Sequence, residues 1–172
     1  MTLHLVGSDI VHMDKNTFMW VQLTHFVFDP SGDDRSVLAG LVASPGYAHD
    51  YASPFDANAQ PTEPAVHGRW YRDQIHADMF EPWTASDAEA LIKAWADDQE
   101  WDDPDYRQPS EVHARLRPVY DLLRAGHLYK LRNPGTEAEH EYGCVTGNGG
   151  FHEFVVIDRA PERLHVIVAS DG

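Results

Sequence analysis

The run Phe154-Val155-Val156-Ile157 sets the tightest limit on how this chain can fold. Side chains alternate between faces along a strand, so four apolar residues in succession leave neither face polar. Such a strand belongs inside a sheet that is covered on both sides. Its surroundings agree. Residues 128–132, 139–145, 152–158 and 164–169 read as strands, separated by Asn133-Pro134-Gly135, Gly147-Asn148-Gly149-Gly150 and Ala160-Pro161-Glu162. The pattern predicts a four-stranded antiparallel meander over 127–170.

Upstream, residues 17–29 are rich in aromatic and β-branched types and read as a strand. Pro30 to Asp34 supply turn chemistry, and 37–43 reads as the returning strand of a hairpin. Residues 44–84 then form a long excursion, broken early by Pro45, Pro54, Pro61 and Pro64. It carries Tyr47, Tyr51, Phe55, Trp70, Tyr71, Phe80 and Trp83, rings expected to pin the loop onto the body or to line a pocket. Two helices follow. Ser86-Asp87-Ala88-Glu89 has the form of a capping box ahead of the stripe Ala88, Leu91, Ile92, Trp95. Ser110 is placed to cap a second helix with the stripe Val112, Leu116, Val119, Leu123 and a C-terminal Gly126, and Pro118 should kink or split it. The expected fold is α+β over 1–172: an antiparallel sheet, made of an N-terminal hairpin plus the C-terminal meander, packed against two central helices, with a long aromatic loop.

Charge divides the chain more sharply than pattern does. Of 28 acidic and 13 basic residues, net −15, the stretch 73–106 holds eleven acids and one base, Lys93. A field of that sign attracts basic proteins and repels phosphate, and no Lys or Arg cluster argues for nucleic acid. The densest part is Asp97, Asp98, Glu100, Asp102, Asp103 and Asp105, with Trp101 among them. It is not an EF-hand loop, because counting from Asp98 puts Asp103 where glycine belongs and Pro109 where glutamate belongs. These acids follow a helix at the end where the macrodipole disfavours negative charge, which suggests selection for something besides stability. The expectation is a small acidic binding protein that engages a basic protein partner through these residues, as regulatory, antitoxin or immunity proteins do. No apolar run is long enough to span a bilayer, the N-terminus lacks a basic n-region and continuous apolar stretch, and the lone Cys144 suits a reducing compartment. The cytoplasm is the expected location, and a subunit contact through the meander edge or aromatic loop is a further expectation.

The rival reading is a small-molecule-binding protein or enzyme, metal-dependent in one form, with its site in the excursion. Its candidate acid–base groups or metal ligands are His49, Asp50, His76 and Asp78, with His67 nearby in sequence. Among the eleven histidines no zinc-type spacing occurs, no Gly-x-Ser-x-Gly elbow is present, and no motif names a cofactor. Cys144, on an expected strand without a basic neighbour, reads as a small core residue.

Overall fold

In the computed structural model, which describes residues 2–14, 17–29, 31–58, 61–98, 103–147 and 150–171, residues 154–157 lie inside a sheet with helices or ordered loop on both faces. The elements in chain order are β1 (Leu3–His12), β2 (Met19–Phe28), α1 (Asp34–Ala43), β3 (Val66–His67), β4 (Trp70–Tyr71) and β5 (Phe80–Pro82). They continue with α2 (Ala85–Asp97), α3 (Ser110–Arg115), α4 (Arg117–Leu123), β6 (His127–Leu131), β7 (Phe151–Asp158) and β8 (Arg163–Asp171). Among the described residues, six strands form one antiparallel sheet in the order β1-β2-β8-β7-β6-β5, and β3 and β4 make a separate two-stranded ribbon. The α+β class is therefore as expected, and β7 has a neighbour on each side from Phe154 to Ile157. Its four apolar residues are all buried, with Val155 and Ile157 facing one core and Phe154 and Val156 the other.

Those two cores make the molecule three layers deep. One face of the sheet packs Trp20, Phe26, Val155, Leu164 and Val166 against α1 and the excursion. The other packs Val21, Phe154, Val156 and Ile167 against the stripes of α2, α3 and α4. Burial of apolar surface on both faces is the main force holding the layers together.

Several local expectations are corrected. Residues 37–43 are the body of α1, not a returning strand. Asp33 accepts a hydrogen bond from the Ser36 N–H at 2.9 Å, which caps the helix, and Val37, Leu38 and Leu41 then fall on one buried face. The hairpin partner of β2 is β1, paired from Leu3↔Phe28 to His12↔Trp20. Residues 139–145 are not a strand. They hold a 3₁₀ turn at Gly143–Val145 and expose Tyr142, Cys144 and Val145, so Cys144 is no core residue. The meander has three C-terminal strands, and its fourth neighbour is β5, delivered from before the helices. The cap of α2 is Thr84, whose hydroxyl accepts from the Asp87 N–H at 3.2 Å, two residues ahead of the expected Ser86. Pro118 does split the second helix, standing in the first turn of α4, where its missing N–H costs nothing. Gly126 lies beyond the C-cap Arg124 and serves a different need: a Cβ there would sit 2.2 Å from the Ile157 carbonyl oxygen.

Candidate functional site

Most rings of the excursion pin it down. Tyr47, Tyr51, Trp70 and Phe80 are buried in the core on the α1 side of the sheet. Beneath them Glu153, on β7, meets Tyr47 and His67. The Tyr47 hydroxyl donates to Glu153 Oε2 at 2.5 Å, and His67 Nε2 makes a short contact with Oε1. The second nitrogen of His67, Nδ1, donates to the Tyr47 carbonyl oxygen at 2.5 Å. The two rings stack with centroids 3.7 Å apart, and Tyr51 closes on His67 edge-on. Burial, and then the neighbouring Glu153 carboxylate, push the Tyr47 phenol well above its ordinary value, so it remains a donor. Both Glu153 oxygens are occupied and the His67 and Glu153 side chains have no exposure to solvent. This is a clasp that fixes the excursion to the sheet. On the same face Trp20 Nε1, Gln22 Oε1 and Ser170 Oγ are buried without a hydrogen-bond partner among the described residues.

His49 is equally committed. Its Nε2 donates to the Asp56 carbonyl oxygen at 3.0 Å and its Nδ1 accepts from the Tyr51 N–H at 2.8 Å. Burial lowers its pKa, which suits the neutral ring those two bonds require. Asp50 Oδ1 stands 3.9 Å from His49 Nδ1 and accepts from the Ala52 N–H. His76 and Asp78 are exposed at the 3₁₀ turn Ala77–Met79. Among the described residues no group of three or more His, Cys, Asp or Glu side chains is arranged to hold a metal ion. A histidine pair does form elsewhere, across β2 and β8. His25 and His165 lie in direct register, their Nδ1 atoms 2.8 Å apart, and His25 Nε2 donates to Asp9 at 3.1 Å.

The acidic stretch has an internal part and an outward part. Asp97, at the end of α2, accepts from the Gln108 N–H at 2.8 Å and from His113 Nε2 at 3.0 Å. Those bonds explain a carboxylate at the unfavourable end of the dipole: it ties the 103–109 segment and α3 back to α2. Asp98 is the C-cap residue of α2, while Asp103 and Asp105 are exposed, Asp103 accepting from the Asp105 N–H at 3.0 Å. Glu100, Trp101 and Asp102 lie outside the described residues.

From this stretch the contacts lead to the tip of the β1–β2 hairpin. Gln108 Oε1 accepts from the Asp14 N–H at 3.1 Å, and the Tyr106 hydroxyl donates to Asp14 Oδ2 at 3.2 Å. There a groove of about 600 Å³ opens between the hairpin tip, the 54–55 turn and the start of α3, lined by Met13, Phe18, Phe55, Glu111 and Arg115 among others. Phe18 is 77% exposed and Phe55 87%, with the His12 ring 5.9 Å from that of Phe55. Neither ring was legible as a surface feature. Phe18 sits in a strand-like stretch but precedes the first residue of β2, so strand alternation does not govern it. Phe55 belongs to a run of aromatics whose other members are mostly buried.

No protein family model, curated protein or solved structure matches the chain. No helix among the described residues is long and apolar enough to cross a membrane.

Proposed function

We propose that this is a binding protein whose partner is a basic protein segment carrying an apolar anchor, received in the groove between the hairpin tip and α3. The observation that carries the reading is the pair of phenylalanines, Phe18 and Phe55, standing out on one groove beside acidic chain. Singly exposed apolar residues are ordinary, but large rings gathered on one concavity mark interaction surfaces. Glu111 and Asp14 line that groove and Asp103 and Asp105 follow on the connected stretch, against which, among the described residues, Arg115 and Arg107 supply positive charge. A net charge of −15 draws a cationic partner from a distance, and the rings supply the short-range attachment. Regulatory, antitoxin and immunity proteins work in this way, and an intracellular setting suits the reading.

The test uses two defined probes of equal length and charge, a peptide alternating lysine with leucine and a peptide alternating lysine with serine. The full chain should bind the first more tightly, with affinity falling as salt is added. Phe18→Ser with Phe55→Ser should abolish the preference for the leucine-bearing peptide. Asp105→Lys with Glu111→Lys should slow association with both. Equal binding of the two peptides, or binding indifferent to the phenylalanines, would reduce the surface to a non-specific field and refute the proposal.

A further inference from the structure

The sheet contains a gap. Pairing between β6 and β7 runs from His127↔Ile157 to Lys130↔Phe154 and stops, because the chain leaves the sheet near Asn133. β7 continues, so Phe151, His152 and Glu153 pair with β8 on one side and, among the described residues, with no strand on the other. The place a longer β6 would fill is a cavity of about 430 Å³, within the range that holds small molecules. Its roof is the 132–147 loop, which is fastened to the β3–β4 ribbon. Trp70 bridges Glu139, the His140 N–H donates to the Arg69 carbonyl oxygen at 3.1 Å, and His140 Nε2 donates to the Gly68 carbonyl oxygen at 2.8 Å. Gly143 lies so close to the Arg69 carbonyl that a Cβ would stand 2.5 Å from its oxygen.

Arg69, Lys130, Glu139 and Glu153 carry the charges of the wall, and they are not all engaged in the same way. Arg69 is paired with Glu139 at 2.9 Å, and the Glu153 carboxylate is consumed by Tyr47 and His67. Lys130 remains. Its ammonium lies 3.4 Å from the Leu131 carbonyl oxygen and 5.5 Å from the centre of the Trp83 ring, and it makes no ion pair among the described residues. Its cross-strand neighbour Glu81 and the Glu153 carboxylate act on it only through space, so this half-buried lysine keeps donor capacity that no ion pair takes up among the described residues. His152 also lines the cavity, and its side chain makes no hydrogen bond among the described residues. Burial, and then Lys130, lower its pKa to about 4, so at neutral pH the ring offers one donor and one acceptor. Trp70, Leu131 and Phe151 give the cavity an apolar part.

We propose that this gap is a binding site for a small organic monocarboxylate, its single negative charge meeting the Lys130 ammonium, which no ion pair among the described residues engages, with His152 as a hydrogen-bond partner and the organic part against Trp70 and Phe151. A dianion such as phosphate is a poorer match, because one cation would face two negative charges with Glu139 close by. The site is separate from the groove of the proposed protein partner and does not rest on it.

Benzoate is the probe, followed by amide chemical shifts of the full chain. Saturable shifts are expected at Lys130, Thr136 and Phe151 to Glu153. Benzamide, the neutral isostere, should bind at least about tenfold more weakly, the loss expected of one charge-assisted contact. Lys130→Met should weaken benzoate by a similar factor, whereas Asp105→Lys should leave it unchanged. The benzamide comparison needs no variant, so a poorly folded Lys130→Met protein would not shelter the idea. Absence of saturable shifts with benzoate, acetate and butyrate overturns the proposal. So does equal binding of benzamide, and inorganic phosphate binding as tightly as benzoate overturns the monocarboxylate assignment.

Discussion

At the scale of single residues, the Glu153 carboxylate is the most consequential group on the sheet face beneath the excursion. It is buried, and among the described residues its two oxygens are satisfied by Tyr47 and His67. Removing one partner strands a charge in a place water does not reach. His67→Ala should therefore cost roughly 3–5 kcal/mol of stability in urea unfolding, the range found when one member of a buried pair is lost. Adding Glu153→Leu to that variant should restore part of the loss, because the stranded charge goes with it. Strict additivity of the two changes would mean that His67 and Glu153 do not act as a unit. Neither residue's role could be read in sequence. Glu153 interrupts an apolar strand by one position, and its partners come from a segment whose spacing carries no periodicity.

At the scale of elements, close approach of backbone explains a glycine that a helix-cap rule had claimed. Gly126 joins α4 to β6, and the Ile157 carbonyl oxygen of β7 fills the space a side chain would need. Gly126→Ala should push β6 away from β7 and cost about 1–3 kcal/mol, a typical overpacking loss. Gly7→Ala, on the exposed strand β1 with nothing near the added carbon, should change the urea midpoint little. Elements with local determinants were legible. The stripes of α2, α3 and α4, the break at Pro118 and the strands β2, β7 and β8 follow from spacing and turn chemistry. Helix α1 was misread because its decisive signal is one Asp33 cap beside β-branched and leucine residues that suit either structure. The groove and the sheet gap were not legible at all. Each is assembled from segments distant in the chain, and only the tertiary path of the 132–147 loop leaves β7 unpaired.

At the scale of the whole molecule, three imidazoles couple stability to pH: His49, lowered by burial, and two others. His152 and His165 are each lowered from 6.5 to about 4, first by burial and then by cations or imidazole beside them. Lys130 acts on His152, while His25 and Arg163 act on His165 against the opposing Asp158. Between those two values the unfolded chain takes up protons that the folded chain refuses. Stability is thus full above the upper value and declines as pH falls through the window. Asp34 adds a loss at lower pH: burial works against its ionised form, but hydrogen bonds from Tyr129, Arg159 and His127 prevail and hold it below the ordinary range. Thermal unfolding followed by circular dichroism should show the melting temperature dropping across the window, and His152→Gln with His165→Gln should reduce that slope, leaving the part due to His49. A slope unchanged in the double variant would assign the effect to other groups. The sheet order carries a consequence in time as well as in energy. β2 lies between β1, its neighbour in sequence, and β8, whose Ala169 pairs with Val21. A ribosome finishes the hairpin long before it makes the strand that covers the hairpin's open edge. Until residue 171 has left the exit tunnel, β2 carries an unpaired row of amides and carbonyls, and the nascent chain depends on delay or on a chaperone to keep that row from other strands.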